Sequence, residues 1–181
     1  MVMSKNIHSL RLNQMGNYSF DLAWALYLES FPPEERRSEE DQRKLMLNDS
    51  YHFDVIYADE EFIGFVFWWK FEQLRYVEHL AMVPEHRNHG YGSQILEQFR
   101  KESDLPIILE VEKPKTLVQQ KRINFYERLG FHLNDHEYFQ PTYSKHKTPL
   151  SLLLMTWPQA LSPSKLDYFI HSCHPQVFPN L

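Results

Sequence analysis

"VPEHRNHGYGSQILEQF", Val83 to Phe99, is the stretch on which the reading of this chain turns. It holds two of the five glycines, two positions apart. A loop with Arg87, Asn88 and His89 leads into Gly90 and Gly92, and an apolar pattern of helical spacing follows at once. A strand ending at Val83, a loop, and a helix from about Tyr91 leave free backbone N–H groups at a helix N-terminus, where an anion is stabilised. Gly90 and Gly92 let the backbone come close to a ligand, with positive φ open to them. Arg87 and His89 add donors, so the ligand suggested carries phosphate. The plain alternative is a tight strand-to-helix turn. The loop lacks the GK[ST] ending of a triphosphate-binding loop, and it lacks the third glycine and downstream acid of a dinucleotide fingerprint. A kinase or a hydride-transfer enzyme is therefore not indicated.

Outward from this loop, the periodicities sort the chain. Upstream, "NYSFDLAWALYLESF" places Phe20, Ala23, Trp24, Tyr27, Leu28 and Phe31 on one helical face, and "FPP" ends it. "EERRSEEDQRKLMLN" reads as a second, solvated helix. Residues 3–12 and the aromatic, β-branched runs "YHFDVIYA", "EFIGFVFWWKFE" and "RYVEHLAMV" read as strands, with "ADEE" as a hairpin turn that makes the pair it joins antiparallel. Downstream come a helix to about Lys101, a buried strand "PIILEVE", and a helix from Thr116 to about Leu129. That helix opens on a Thr116–Gln119 capping box and ends at Gly130. "FHLND" and "PLSLLLMTW" are late strands, and Ser164 to Asp167 starts a C-terminal helix. The order predicts a mixed α/β fold: one mostly antiparallel central sheet with helices on both faces, the central strands buried on both sides.

The totals agree. With 181 residues, 43% of them hydrophobic, the chain supports one domain with a sizeable core over 1–181, ending in a helical tail over about 162–181. A net charge of −5 gives no reason to expect nucleic acid as a partner. A single cysteine, Cys173, allows no intrachain disulfide and suits a reducing, cytoplasmic setting. The first ten residues do not read as a signal peptide, and the longest apolar run, Phe62 to Trp69, is too short to cross a bilayer, so no membrane is expected. His79, His86 and His89 have no Cys, Asp or Glu at a zinc-like spacing, so no metal site is expected.

"RNHGYG", Arg87 to Gly92, resembles the [RQ]-x-x-G-x-[GA] loop of the GNAT N-acetyltransferases. "YVEHLAMVPEHR" resembles the strand before that loop, and "RINFYERLGF", Arg122 to Phe131, the later helix ending in Tyr-x-x-x-Gly-Phe. The three occur in the family's order. The likeness covers about residues 53–133, and "SFPPEERR" and "EYFQPTY" look like features of a group of small bacterial members of undefined acceptor. The family fold is the one read above.

The resemblance implies acetyl-CoA as co-substrate. The backbone N–H groups of Asn88, His89, Gly90, Tyr91 and Gly92 would wrap its pyrophosphate, with the Ser93 hydroxyl and the Arg87 charge beside them. The backbone of Ala81, Met82 and Val83 would hydrogen-bond the pantetheine arm like an added strand. Gln119 stands where the family often has a cofactor-contacting asparagine, and Arg122 where it usually has a small residue. Tyr126 matches the tyrosine that protonates the departing thiolate, a proton transfer that a phenol near ~10 can make to a thiolate near ~8.5. The alternative is a core tyrosine beside Ile123 and Leu129. Glu78 is the candidate general base for the amine, since strand alternation sets it among Tyr76, Leu80 and Met82. His79, on the opposite face, is its rival.

The acceptor would be an amine of a small molecule or peptide. Glu34, Glu35 and Glu137 are placed to attract its charge, and Phe31, Trp68, Tyr138 and Phe139 to wall the pocket. A solvated helix face is the alternative for "PPEERRSEED". The reaction expected is direct acetyl transfer with both substrates bound together. The competing expectations are a non-catalytic CoA-binding sensor or interaction protein of the same fold, and an enzyme for longer acyl groups. Leu166, Phe169 and Ile170 give the tail an apolar face, which either docks on the domain or makes a dimer, so monomer and homodimer both stay open.

Overall fold

The computed structural model of the chain describes residues 6–144 and 147–178. Seven strands and six helices follow the expected order, in a mixed α/β fold whose printed strand registers are all antiparallel. Two compact units divide the chain. The first comprises Met1–Pro32, Ser38–Lys70 and Val77–Asp104, the second Pro33–Arg37, Phe71–Tyr76 and Leu105–Leu181.

In the first unit, β1 (Ile7–Leu12), β2 (Tyr51–Ala58), β3 (Glu61–Lys70) and the body of β4 (Arg75–Met82) lie side by side in that order. The first strand was expected over 3–12; residues 3–5 lie outside the described ones. The β2–β3 hairpin turns where "ADEE" predicts it, with Asp59 at φ 55. Residues Ile63 to Trp69 of β3 are buried without a break, as a strand covered on both faces requires. Helix α1 (Tyr18–Ser30) covers one face, setting Tyr27 against Phe65 and Phe67. Helix α3 (Tyr91–Lys101) covers the other, with Phe99 edge-on to Trp68 at 4.9 Å. The buried stripe of α1 is Phe20, Ala23, Leu26 and Tyr27, while Leu28, expected on it, is 43% exposed. The second helix is shorter than its sequence pattern suggests. Its residues form a 3₁₀ turn, Pro33–Glu35, and then α2 (Glu39–Leu45), because the Ser38 side chain accepts from Asp41 N and starts a new helix.

In the second unit, β5 (Ile107–Glu112), β7 (Leu150–Trp157) and β6 (His132–Gln140) pair in that order, and α4 (Leu117–Arg128) packs on β5 and β6. β6 runs further than "FHLND" suggests, through a register irregularity between Asn134 and Tyr138. The tail forms α5 (Pro163–Tyr168), one π turn and α6 (His174–Val177). Ser162, rather than Ser164, caps it, since Pro163 fills the first helical position and Ser162 accepts from Lys165 N. The tail docks within this unit: Phe169, Cys173, His174, Val177 and Phe178 are buried, and the Arg37 guanidinium donates to Val177 O at 3.1 Å and lies over the Tyr143 ring.

Candidate active site

The glycine loop lies in the first unit. β4 ends at Met82, a 3₁₀ turn spans Pro84–His86, and α3 starts at Tyr91. Gly90 is the helix N-cap at φ 81 and ψ −2, and no side chain caps the first turn. Left-handed backbone is open to glycine at little cost. The room a side chain would need is there, since only Gln94 Nε2 comes within 4 Å of an added Cβ, at 3.9 Å. Gly90 therefore serves the backbone turn rather than close packing. Asn88 is also left-handed, at φ 64, which asparagine tolerates better than most residues. Two side chains pin the loop. His86 Nε2 pairs with Glu61 Oε1 at 3.0 Å, and Arg87 Nε donates to Met82 O at 3.0 Å, with its Nη atoms on an exposed side chain. His89 and Ser93 flank the helix start, His89 exposed and Ser93 half-buried.

On β4, Val83 N donates to Ile63 O at 3.0 Å. Glu78 is 8% exposed and accepts from Trp69 Nε1 at 2.9 Å. His79 is 3% exposed, edge-on to Tyr27 at 4.9 Å and to the half-buried Phe31 at 4.6 Å. Trp68 corrects an expectation. It is no pocket wall but core beneath α3, stacked on His52 at 3.8 Å and donating from Nε1 to Asp54 Oδ2 at 2.7 Å.

The second unit holds the rest. Tyr126 lies on the buried side of α4, against Phe125 and Phe131. Burial raises its phenol pKa, with Arg122 opposing, so the proton is held more firmly than on a free tyrosine. The expected capping box is present: Thr116 accepts from Gln119 N, and Gln119 Oε1 accepts from Thr116 N at 3.0 Å and Lys115 N at 2.9 Å. Gln119 thus has its carbonyl committed to the helix end, which leaves its Nε2 as the atom a cofactor would meet. Arg122 pairs with Glu112 at 2.7 Å. Glu35 is half-buried on the 3₁₀ turn; burial raises its carboxyl pKa first, then Glu112, with Arg122 opposing. Glu34 beside it is exposed. Lys147 donates to Pro33 O and to Arg36 O, strapping the turn to the segment after β6.

Tyr138 is the second correction. It is 2% exposed, not a wall, and its hydroxyl donates to Glu110 Oε1 at 2.5 Å. With that proton committed, His174 Nε2 is the donor in the 2.9 Å contact to Tyr138. This fits a neutral ring, whose pKa burial lowers to about 4. The aromatic of this stretch that faces outward is Phe139, 51% exposed. Glu110 is the residue that sequence reasoning passed over. Besides Tyr138 it accepts from Tyr76 at 2.7 Å and Gln140 Nε2 at 2.5 Å. The signal was an acid inside the apolar run "IILEVE", which burial forbids without partners.

A family model described as an acetyltransferase (GNAT) domain matches residues 49–133. A Bacteroides thetaiotaomicron protein classed as a GNAT-family acetyltransferase is 37% identical in sequence. Its structure superposes with a TM-score of 0.81 over 88% of this chain and 91% of that one. The Escherichia coli ribosomal-protein-S18-alanine N-acetyltransferase shares the fold at 17% identity and TM-score 0.57, over 87% of this chain and 96% of that one. Arabidopsis thaliana Naa50, solved with the bisubstrate analogue CoA-Ac-MVNAL, shares it at 15% identity and TM-score 0.57, over 83% and 97%. Among curated proteins, no sequence matches. No helix among the described residues is long and apolar enough to cross a membrane.

Proposed function

Since the chain belongs to the GNAT acetyltransferase family and is an acyltransferase, we propose that it moves the acetyl group of acetyl-CoA directly to an amine of a small molecule or peptide. The observation that carries this reading is the start of α3: a left-handed glycine N-cap and a first turn whose N–H groups no side chain caps. Such a helix end favours a phosphate. Asn88 to Ser93 supply the cradle and Arg87, anchored through Nε, turns its Nη atoms to the same anion. The pantetheine arm lies along Ala81 to Val83. Because Met82 O and Val83 N are already bonded to Arg87 and Ile63, the arm takes other backbone groups of that stretch. Gln119 meets the cofactor through Nε2.

Glu78 takes a proton from the ammonium group of the acceptor. The free amine attacks the thioester carbonyl, the C–S bond breaks, and the CoA thiolate takes a proton from Tyr126. The raised pKa of Tyr126 keeps it protonated until the stronger base, the leaving thiolate, forms beside it. Glu34 and Glu35 attract the cationic acceptor, and Phe31 offers it an aromatic surface. Residues 1–181 work as one domain, in the cytoplasm, as a monomer or homodimer, with no nucleic acid or membrane as partner. Calorimetric titration with acetyl-CoA, ATP and NAD tests the reading. Binding of acetyl-CoA alone is expected, and equal or better binding of ATP or NAD would overturn it.

A further inference from the structure

We propose that Gly64 of β3 is a positioning residue for acetyl transfer, its bare backbone letting the Ala81–Met82 segment of β4 sit where the thioester arm is held. The assignment rests on the functional reading above, which lays the pantetheine along Ala81 to Val83. Gly64 is not needed for backbone freedom. Gly16, Gly90 and Gly130 have positive φ, and Gly64 does not. What it supplies is space. A Cβ at residue 64 would lie 2.3 Å from Ala81 O, 2.9 Å from Met82 Sδ and 3.2 Å from Met82 Cα. The Met82 thioether can swing aside. The Ala81 oxygen is backbone and moves only with its strand.

β3 has little freedom to retreat instead. Gly64 pairs with Ile56 of β2, beside the register irregularity between Ile56 and Tyr57. Its neighbours Ile63 and Phe65 are both 0% exposed, packed into a core that resists displacement. Ile63 O also holds Val83 N at 3.0 Å, which fixes the far end of the same β4 segment. A methyl on residue 64 is thus absorbed by Ala81 and Met82. Relaxing a 2.3 Å contact to an ordinary C···O distance of about 3.3 Å moves that carbonyl by roughly 1 Å. A displacement of this size at a reacting centre is enough to cost about 10²-fold in rate. The glycine loop, held by Glu61–His86 and by α3, keeps its own geometry.

The test is Gly64→Ala, read in two ways. Adenosine 3′-phosphate 5′-diphosphate, the nucleotide of CoA without pantetheine, probes the loop alone. Acetyl-CoA turnover with an amine acceptor probes the arm. The expected result is nucleotide affinity within about threefold of wild type, at full stoichiometry, and kcat lower by about 10²-fold. A purely structural role would lower stoichiometry and turnover together, leaving kcat per binding-competent molecule unchanged, and that result would overturn the proposal. Should Gly64→Ala fail to fold, Gly64→Ala/Ala81→Gly frees the residue-81 peptide to turn away. That variant is expected to fold yet transfer at least tenfold more slowly than Ala81→Gly alone, and equal rates would overturn the proposal. Wild-type protein that neither binds nor turns over acetyl-CoA would refute the functional reading, and this assignment with it. Normal wild-type turnover with an unimpaired Gly64→Ala refutes this assignment only.

Discussion

Asp54 stands in β2 under α3, and its environment makes a quantitative prediction about the platform that carries the cofactor helix. Oδ2 accepts from Trp68 Nε1 at 2.7 Å, and Oδ1 is buried with no hydrogen-bond partner among the described residues. Burial raises the carboxyl from 3.8 to about 6, against the Trp68 hydrogen bond and the Arg11 charge, with Glu102 adding to the rise. Below pH 3.8 the folded and unfolded chains are both protonated, and Asp54 contributes no pH dependence. Between 3.8 and about 6 the folded chain keeps a proton that the unfolded chain releases, so stability falls as pH rises. Above about 6 the loss is complete, and the difference of the two values corresponds to about 3 kcal/mol. Asp54→Asn keeps an acceptor for Trp68 and removes the charge, although its amide must then occupy an unpartnered position, which returns about 1–2 kcal/mol. The net expectation at pH 8 is a gain of about 1–2 kcal/mol, a rise of about 5 °C in Tm for a chain of this size. At pH 4 that gain disappears. Thermal melts of both proteins at half-unit pH steps measure it. A difference that is the same at pH 4 and pH 8, or an Asn variant less stable at pH 8, would refute the reasoning.

Three further predictions concern the candidate site. Gly90→Asp is expected to fold, since aspartate is a good N-cap, but to bind CoA at least about 10²-fold more weakly, because its carboxylate stands in the pyrophosphate cradle; unchanged affinity by titration removes the anion-site argument. Tyr126→Phe keeps acetyl-CoA affinity within about twofold and lowers kcat by about 10²-fold, and a wild-type kcat eliminates Tyr126 as the essential acid. Glu78→Gln retains an acceptor for Trp69, so its Tm stays near wild type while the acidic limb of its kcat/KM profile is lost; persistence of that limb moves the base role to another residue.

Much of the fold was legible because local and global signals agree. "YHFDVIYA" is β2 residue for residue, the Thr116–Gln119 box and Gly130 bound α4 as expected, and the unbroken burial of Ile63 to Trp69 follows from their unbroken hydrophobicity. The misreadings share one cause: composition cannot say what a polar atom on an aromatic ring touches. Trp68 and Tyr138 look like pocket walls until Asp54 and Glu110, distant in sequence, are seen to hold their N–H and O–H groups in the core. Gln119 likewise has its carbonyl spent on the helix end. Phe31 alone among the expected aromatic walls stays half-exposed, where the end of α1 leaves it against His79. Gly64 carries no sequence signal at all, because its reason is the position of a carbonyl on the next strand.

The central claim is acetyl transfer to an amine, and release of free CoA from acetyl-CoA, followed against a panel of polyamines, amino sugars and N-terminal peptides, tests it most directly. The account predicts at least one amine that speeds CoA release well above the hydrolytic background, with the acetylated amine identified by mass spectrometry and the rate cut by Tyr126→Phe. Acetyl-CoA binding with no amine-dependent release across the panel, and no acetylated product, would contradict it and favour a CoA-binding protein without catalysis.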